Sequence, residues 1–151
     1  MKLLNQVSDP NNPAHPSHSN HLISTGGLRA VRFRSPNPML KLVQNTLIEK
    51  CKQSREELCG FISAEWNIFY IRNIHEESRH NFLMHQEDFE SVVDTIYNVR
   101  QSSIIGVWHT HPNNLPWPSP RDIVGWPNPA LQWRYWVVTN NEVFEWVLER
   151  E

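Results

Sequence analysis

The chain is 151 residues long and 39% apolar, with 14 Lys and Arg against 16 Asp and Glu, for a net charge of −2. A chain of this length fits one domain, and its near-neutral balance offers no basic footprint for nucleic acid. It contains no run of 18 or more apolar residues, so no membrane partner is expected, and its N-terminus lacks the apolar core of a signal peptide.

Cys51 and Cys59 are the only cysteines and form neither a CxxC pair nor a disulfide framework, which predicts a reducing, cytoplasmic setting. Residues 1–27 are polar and rich in Asn, Ser and Pro, and read as a disordered leader; residues 28–151 read as one domain. His15, His18 and His21 in the leader are evenly spaced, but Pro-rich surroundings do not fix a coordination geometry.

Order is expected to begin at Leu28, where LRAVRF alternates as an edge strand does. MLKLVQNTLIEKCKQS then places Leu40, Val43, Leu47 and Cys51 on one helical stripe, with Leu42 and Ile48 beside it. LCGFISA and WNIFYIRNI follow as antiparallel partners, and NFLMH as another short strand. QEDFESVVDTIYNVRQ predicts a second helix through Phe89, Val92, Val93, Ile96 and Val99, with acidic residues in its first turn. SIIGVWHTHP reads as a buried strand, and RYWVVT and EVFEWVLE as two strands joined at Asn140 and Asn141. This order predicts an α/β (α+β) fold, a mixed β-sheet flanked by helices.

Side chains alternate along a strand, so His109 and His111 project to one side while Thr110 points away as a packing residue. Two imidazoles held in this way bind one metal, and a catalytic zinc keeps three protein ligands and an open position. Asp122 supplies a third candidate. It follows Ser119-Pro120-Arg121, a strong helix start with Ser at the cap, Pro first and Asp third. Taken singly, each piece has a plainer role: an HxH in a strand, a helix cap, and Glu57 as a surface carboxylate before a strand.

Their joint spacing, His109-Thr110-His111, seven residues, then Ser119-Pro120-Arg121-Asp122, resembles the HxH-x7-SxxD signature of the JAMM (JAB/MPN+) metalloproteases. Glu57-Leu58-Cys59-Gly60-Phe61-Ile62 resembles the strand that carries that family's catalytic Glu, and the likeness runs over residues 28–149. It implies the JAB/MPN fold, similar in architecture to cytidine deaminases. It also implies one Zn2+ on His109, His111 and Asp122 with water in the fourth place. Glu57 would move the proton as base and then acid, and Ser119 would hydrogen-bond the oxyanion.

Glu56 is the neighbouring rival to Glu57, and the Cys59-Gly60 register favours Glu57. Cys59 reads as a buried strand residue, and His75, His80 and His85 as bystanders. Trp117 and Trp126, in Pro-rich loops near the ligands, would either rim the substrate or seal the site. The implied substrate is the C-terminal tail of a ubiquitin-like protein or another peptide, received as an added strand. Only 29 residues follow Asp122, leaving little room there for the insertions of polyubiquitin specialists, so a compact prokaryotic or phage-type peptidase fits better. The alternatives are a phage tail-tip or cell-wall peptide-processing enzyme and a non-catalytic MPN-type scaffold. The deaminase ligand pattern H-x-E…P-C-x-x-C is absent, and the HNHPSG pattern of the RadC relatives differs from His109 to Asn114.

Overall fold

The computed structural model describes residues 22–126 and 132–150. Seven strands of the described residues make one sheet: β1 (Leu22–Thr25), β2 (Leu28–Arg32), β3 (Cys59–Ser63), β4 (Ile68–Ile71), β5 (Ile104–Thr110), β6 (Arg134–Val138) and β7 (Val143–Arg150). They lie in the order β1-β2-β7-β6-β5-β3-β4. Every neighbouring pair is antiparallel except β5 with β6. Among the described residues three α-helices pack on this sheet: α1 (Lys41–Gln53), α2 (Gln86–Asp94) and α3 (Pro120–Gly125). The mixed sheet with flanking helices is the architecture the sequence predicts. Among the described residues no helix is long and apolar enough to cross a membrane.

Each face of the sheet is covered, and the period-2 pattern sorts β5 between the two. Val107 packs with Phe61, Ile123, Trp126, Tyr135 and Val137 on the face under α2 and α3. Trp108 packs with Ile62, Trp136 and Val138 against Val43, Leu47 and Cys51 of α1 on the other. Val43, Leu47 and Cys51 recur every fourth residue, which lines them along one side of the helix. Gly106 is required here, because a Cβ would run into the Trp136 ring and the Arg134 carbonyl of the parallel neighbour.

Several expectations need correction. The leader does not reach residue 27: Leu22–Thr25 is a strand that pairs with β2, so β2 is an interior strand and not the edge. Residues 1–21, with His15, His18 and His21, lie outside the described residues. Leu40 precedes α1 in extended backbone and stays half exposed, Met39 being buried in its place, and Leu42 faces solvent. Residues 81–85 form no strand; a single bridge, Asn73 with Met84, is all that pairs there. The second helix ends its α-geometry at Asp94 and continues as a π-helical stretch, Thr95–Val99, in which the Arg100 N–H reaches back to the Thr95 carbonyl. The wider turn rotates the stripe, so Ile96 is buried while Val99 is 71% exposed.

Candidate metal centre

The β5 strand ends at Thr110, and His109 and His111 continue the Val107 side of the sheet. His111 lies one residue past the strand, held by its own N–H to the Val138 carbonyl at 2.7 Å. Asp122 comes from the first turn of α3. Ser119 caps that helix by accepting from the Asp122 N–H at 3.0 Å, while Asp122 Oδ2 accepts from the Ser119 N–H at 2.8 Å. This reciprocal capping box turns the Asp122 carboxylate back toward the strand end.

The result is a triangle of potential ligand atoms. His109 Nε2 stands 3.0 Å from His111 Nε2 and 3.1 Å from Asp122 Oδ2, which is 3.2 Å from His111 Nε2. Ligands about 2.0–2.1 Å from a tetrahedral zinc stand about 3.3–3.4 Å apart, close to these edges. Glu57 Oε2 lies farther off, 3.8 Å from His111 Nε2. All four residues are buried, Glu57 to within 2% of full burial, whereas Glu56 is exposed. Glu57 is therefore the carboxylate beside the triangle, and Glu56 lies on the surface.

The hydrogen bonding also fits a cation. His111 Nδ1–H donates to the Leu115 carbonyl at 2.8 Å, which leaves Nε2 as a lone pair. Glu57 Oε1 and His109 Nδ1 are buried without protein partners. Buried polar atoms are nearly always paired, so lone pairs converging with too few protons mark a place meant for something other than protein. Burial pushes the Glu57 carboxyl up to about 8, with Asp122 adding to the effect and His111 opposing it. Burial lowers His109, Asp122 opposing. Burial also opposes charge on His111, but Asp122 outweighs it and raises the ring. Asp122 itself is held below the carboxylate range, its burial more than offset by the two imidazoles.

Residues that strand periodicity does not reveal hold this site in place. Thr110 is more than a packing residue: its Oγ1 accepts from the Leu58 N–H at 2.8 Å, and its N–H donates to the Leu58 carbonyl at 2.9 Å. Those two bonds fix the peptide next to Glu57. Asn73 Nδ2 donates to the Glu57 carbonyl at 2.8 Å, and the Glu57 N–H donates to the Ser78 carbonyl at 2.7 Å. Phe82 stacks on the His109 ring at 4.6 Å, and Trp126 meets it at 6.4 Å while stacking on Tyr135. Trp126 thus seals the site, whereas Trp117 is 36% exposed on the surface.

His75 and His85 accept from backbone N–H groups of Glu77 and Asp88, and His80 is exposed; none joins the cluster. Both cysteines are buried, and burial raises their thiols, Cys51 to about 11 and Cys59 to about 12. Beside Asp122 opens a largely apolar cavity of about 680 Å³ lined by Phe82, Leu83, Met84, Phe89, Val124 and Trp133, among others.

Residues 40–149 match the family model described as prokaryotic homologs of the JAB domain. Among solved structures, the chain is similar to the solution structure of protein DSY2949 from Desulfitobacterium hafniense. The likeness has 16% identity and a TM-score of 0.57, and covers 74% of this chain and 86% of that one. At that identity it speaks for the fold. No curated protein matches.

Proposed function

This chain belongs to the family of prokaryotic homologues of the JAB domain, and on that premise we propose that it is a single-zinc peptidase or isopeptidase. Its substrate is the C-terminal tail of a ubiquitin-like protein or another extended peptide. The observation that carries this reading is the buried triangle of His109, His111 and Asp122, with edges of 3.0–3.2 Å, and the Glu57 carboxylate beside it. Zinc held by that triangle would supply a Lewis acid that polarises the scissile carbonyl and lets water ionise at a pH of about 7.

The protein's own groups do the rest. Glu57 takes the proton of the attacking water on its carboxylate and returns it to the leaving amine. Its burial, which raises its proton affinity, suits a group that must hold and release a proton near neutrality. The Ser119 hydroxyl accepts from Asp122 N–H, a bond that leaves its own proton to donate to the oxygen gaining charge at the scissile carbon. The apolar cavity sharing Asp122 as a wall suits an apolar side chain flanking the scissile bond.

In Glu57→Gln the metal should remain, at about one zinc per chain, while turnover of a ubiquitin-like fusion or peptide substrate falls on the order of 10²–10⁴-fold. Full turnover in that variant would overturn the mechanism. Running muropeptides beside ubiquitin-like fusions separates a cell-wall or phage tail substrate from a tail-processing one. A wild-type protein that takes up no metal from a metal-replete medium would instead favour a scaffold.

A further inference from the structure

The two histidines of the site are held by different means. His109 lies in a regular strand between Phe82 and Trp126, and its Nδ1 has no protein partner. His111 lies beyond the strand, and one hydrogen bond, Nδ1–H to the Leu115 carbonyl at 2.8 Å, sets its ring orientation and tautomer. Where that carbonyl sits is decided by the loop that carries it.

That loop is built around Asn114. Its N–H donates to the His111 carbonyl at 2.8 Å, closing a tight turn from 111 to 114. Its φ of +66° is in the left-handed region, which Asn tolerates better than most side chains. Its Oδ1 accepts from the Asn140 N–H at 2.8 Å, anchoring the turn to the β6–β7 connection. That connection is itself held by hydrogen bonds, Thr139 Oγ1 accepting from the N–H groups of Asn141 and Glu142. Two further bonds steady the neighbours: Asn113 Oδ1 accepts from the Leu115 N–H at 3.0 Å, and Trp146 Nε1 donates to the Pro116 carbonyl at 3.0 Å.

We infer that Asn114 is a positioning residue for the metal centre: anchored on Asn140, it aims the Leu115 carbonyl at His111 Nδ1 and so keeps His111 Nε2 as the donor atom. Asn meets both demands of the position, a left-handed backbone and a side-chain acceptor. Gly meets only the first, and Asp meets both. The inference rests on the metal-site reading above, but the tautomer of His111 can be read without metal.

The test compares wild type, Asn114→Gly and Asn114→Asp by two measurements. One is the ¹⁵N spectrum of His111 in metal-free protein, taken at a pH high enough for the ring to be neutral, since Asp122 raises its proton affinity. The other is Co2+ affinity by competition with a chelator, together with the cobalt ligand-field absorption. Wild type and N114D should hold the His111 proton on Nδ1 and agree in affinity within about threefold. N114G should show mixed tautomers and bind cobalt about 10–100-fold more weakly, the range typical when the partner of a ligating histidine is lost. Wild-type tautomer and affinity in N114G, or an equal fall in N114D, would overturn the inference. So would an N114G chain that fails to fold, since positioning requires the fold to survive. If wild type binds no cobalt, the proposed function fails, and the tautomer comparison still decides the role of Asn114.

Discussion

Two clusters of polar side chains are built into this sheet, and they differ in whether their hydrogen-bond donors and acceptors balance. On β6 and β7, Arg134 meets Glu145 through Nε at 2.9 Å and Nη2 at 2.8 Å. Nη2 also donates to the Asn37 carbonyl at 2.8 Å, and Trp136 Nε1 donates to Glu145 Oε1 at 3.2 Å. Both oxygens of that carboxylate are used, and the guanidinium lies over the rings of Trp66 and Trp136. At the end of β5, by contrast, Glu57, His109, His111 and Asp122 bring acceptors together and leave Glu57 Oε1 and His109 Nδ1 unpaired. Burial alone does not separate structure from function in this protein. A closed cluster holds the sheet together, whereas an open one keeps acceptors that could hold a cation.

The comparison is most severely tested by deleting the balanced carboxylate. Glu145→Ala leaves Arg134 and the Trp136 N–H without their acceptor and should cost about 3 kcal/mol in urea unfolding, with little change in metal affinity. A cost below about 1 kcal/mol would erase the distinction between the two clusters. In the open cluster the sign should reverse. Burial lifts the folded pKa of Glu57 to about 8 from an ordinary value of 4.5, so metal-free wild type loses stability as pH rises between those two values. Metal-free Glu57→Gln escapes that loss. It should exceed wild type by about 2 kcal/mol at pH 8.5 and match it near pH 5, measured by thermal or urea unfolding in chelator. A destabilised Glu57→Gln at pH 8.5 would break the comparison from the other side. The smallest effect belongs to Thr110→Val, which strands the Leu58 N–H. About 1–2 kcal/mol of stability should go, with turnover falling further than metal content because the displaced group is Glu57.

Much of the site could be read from the sequence, and for physical reasons. The same-side placement of His109 and His111 follows from strand alternation, and the SPRD helix start from capping chemistry, so local rules place three of the four residues while their joint spacing, through the family resemblance, singles them out. The Cys59-Gly60 register distinguishes Glu57 from Glu56, and at Gly60 a Cβ would collide with the Phe69 carbonyl. What escaped is non-local or locally ambiguous. The strand at Leu22–Thr25 does have a local signal, since Gly26 and Gly27, both at positive φ, make a two-residue hairpin loop to β2, but the polar, Pro-rich residues before it mask that signal. The exposure of Val99 comes from one π-turn, which leaves no mark in a pattern of threes and fours. Thr110 and Asn114 act through hydrogen bonds to residues 52 and 26 positions away, and no spacing within their own segments announces either.

One atom, Asp122 Oδ2, both closes the first turn of α3 and faces the two imidazoles. That sharing bears on how such a protein could change over generations. On the proposed mechanism, an apolar replacement at 122 would be penalised twice, once in helix formation and once in chemistry, whereas a replacement at 57 would be penalised in chemistry alone. Lineages that abandoned catalysis and kept the scaffold would therefore be expected to lose the glutamate first and the aspartate last.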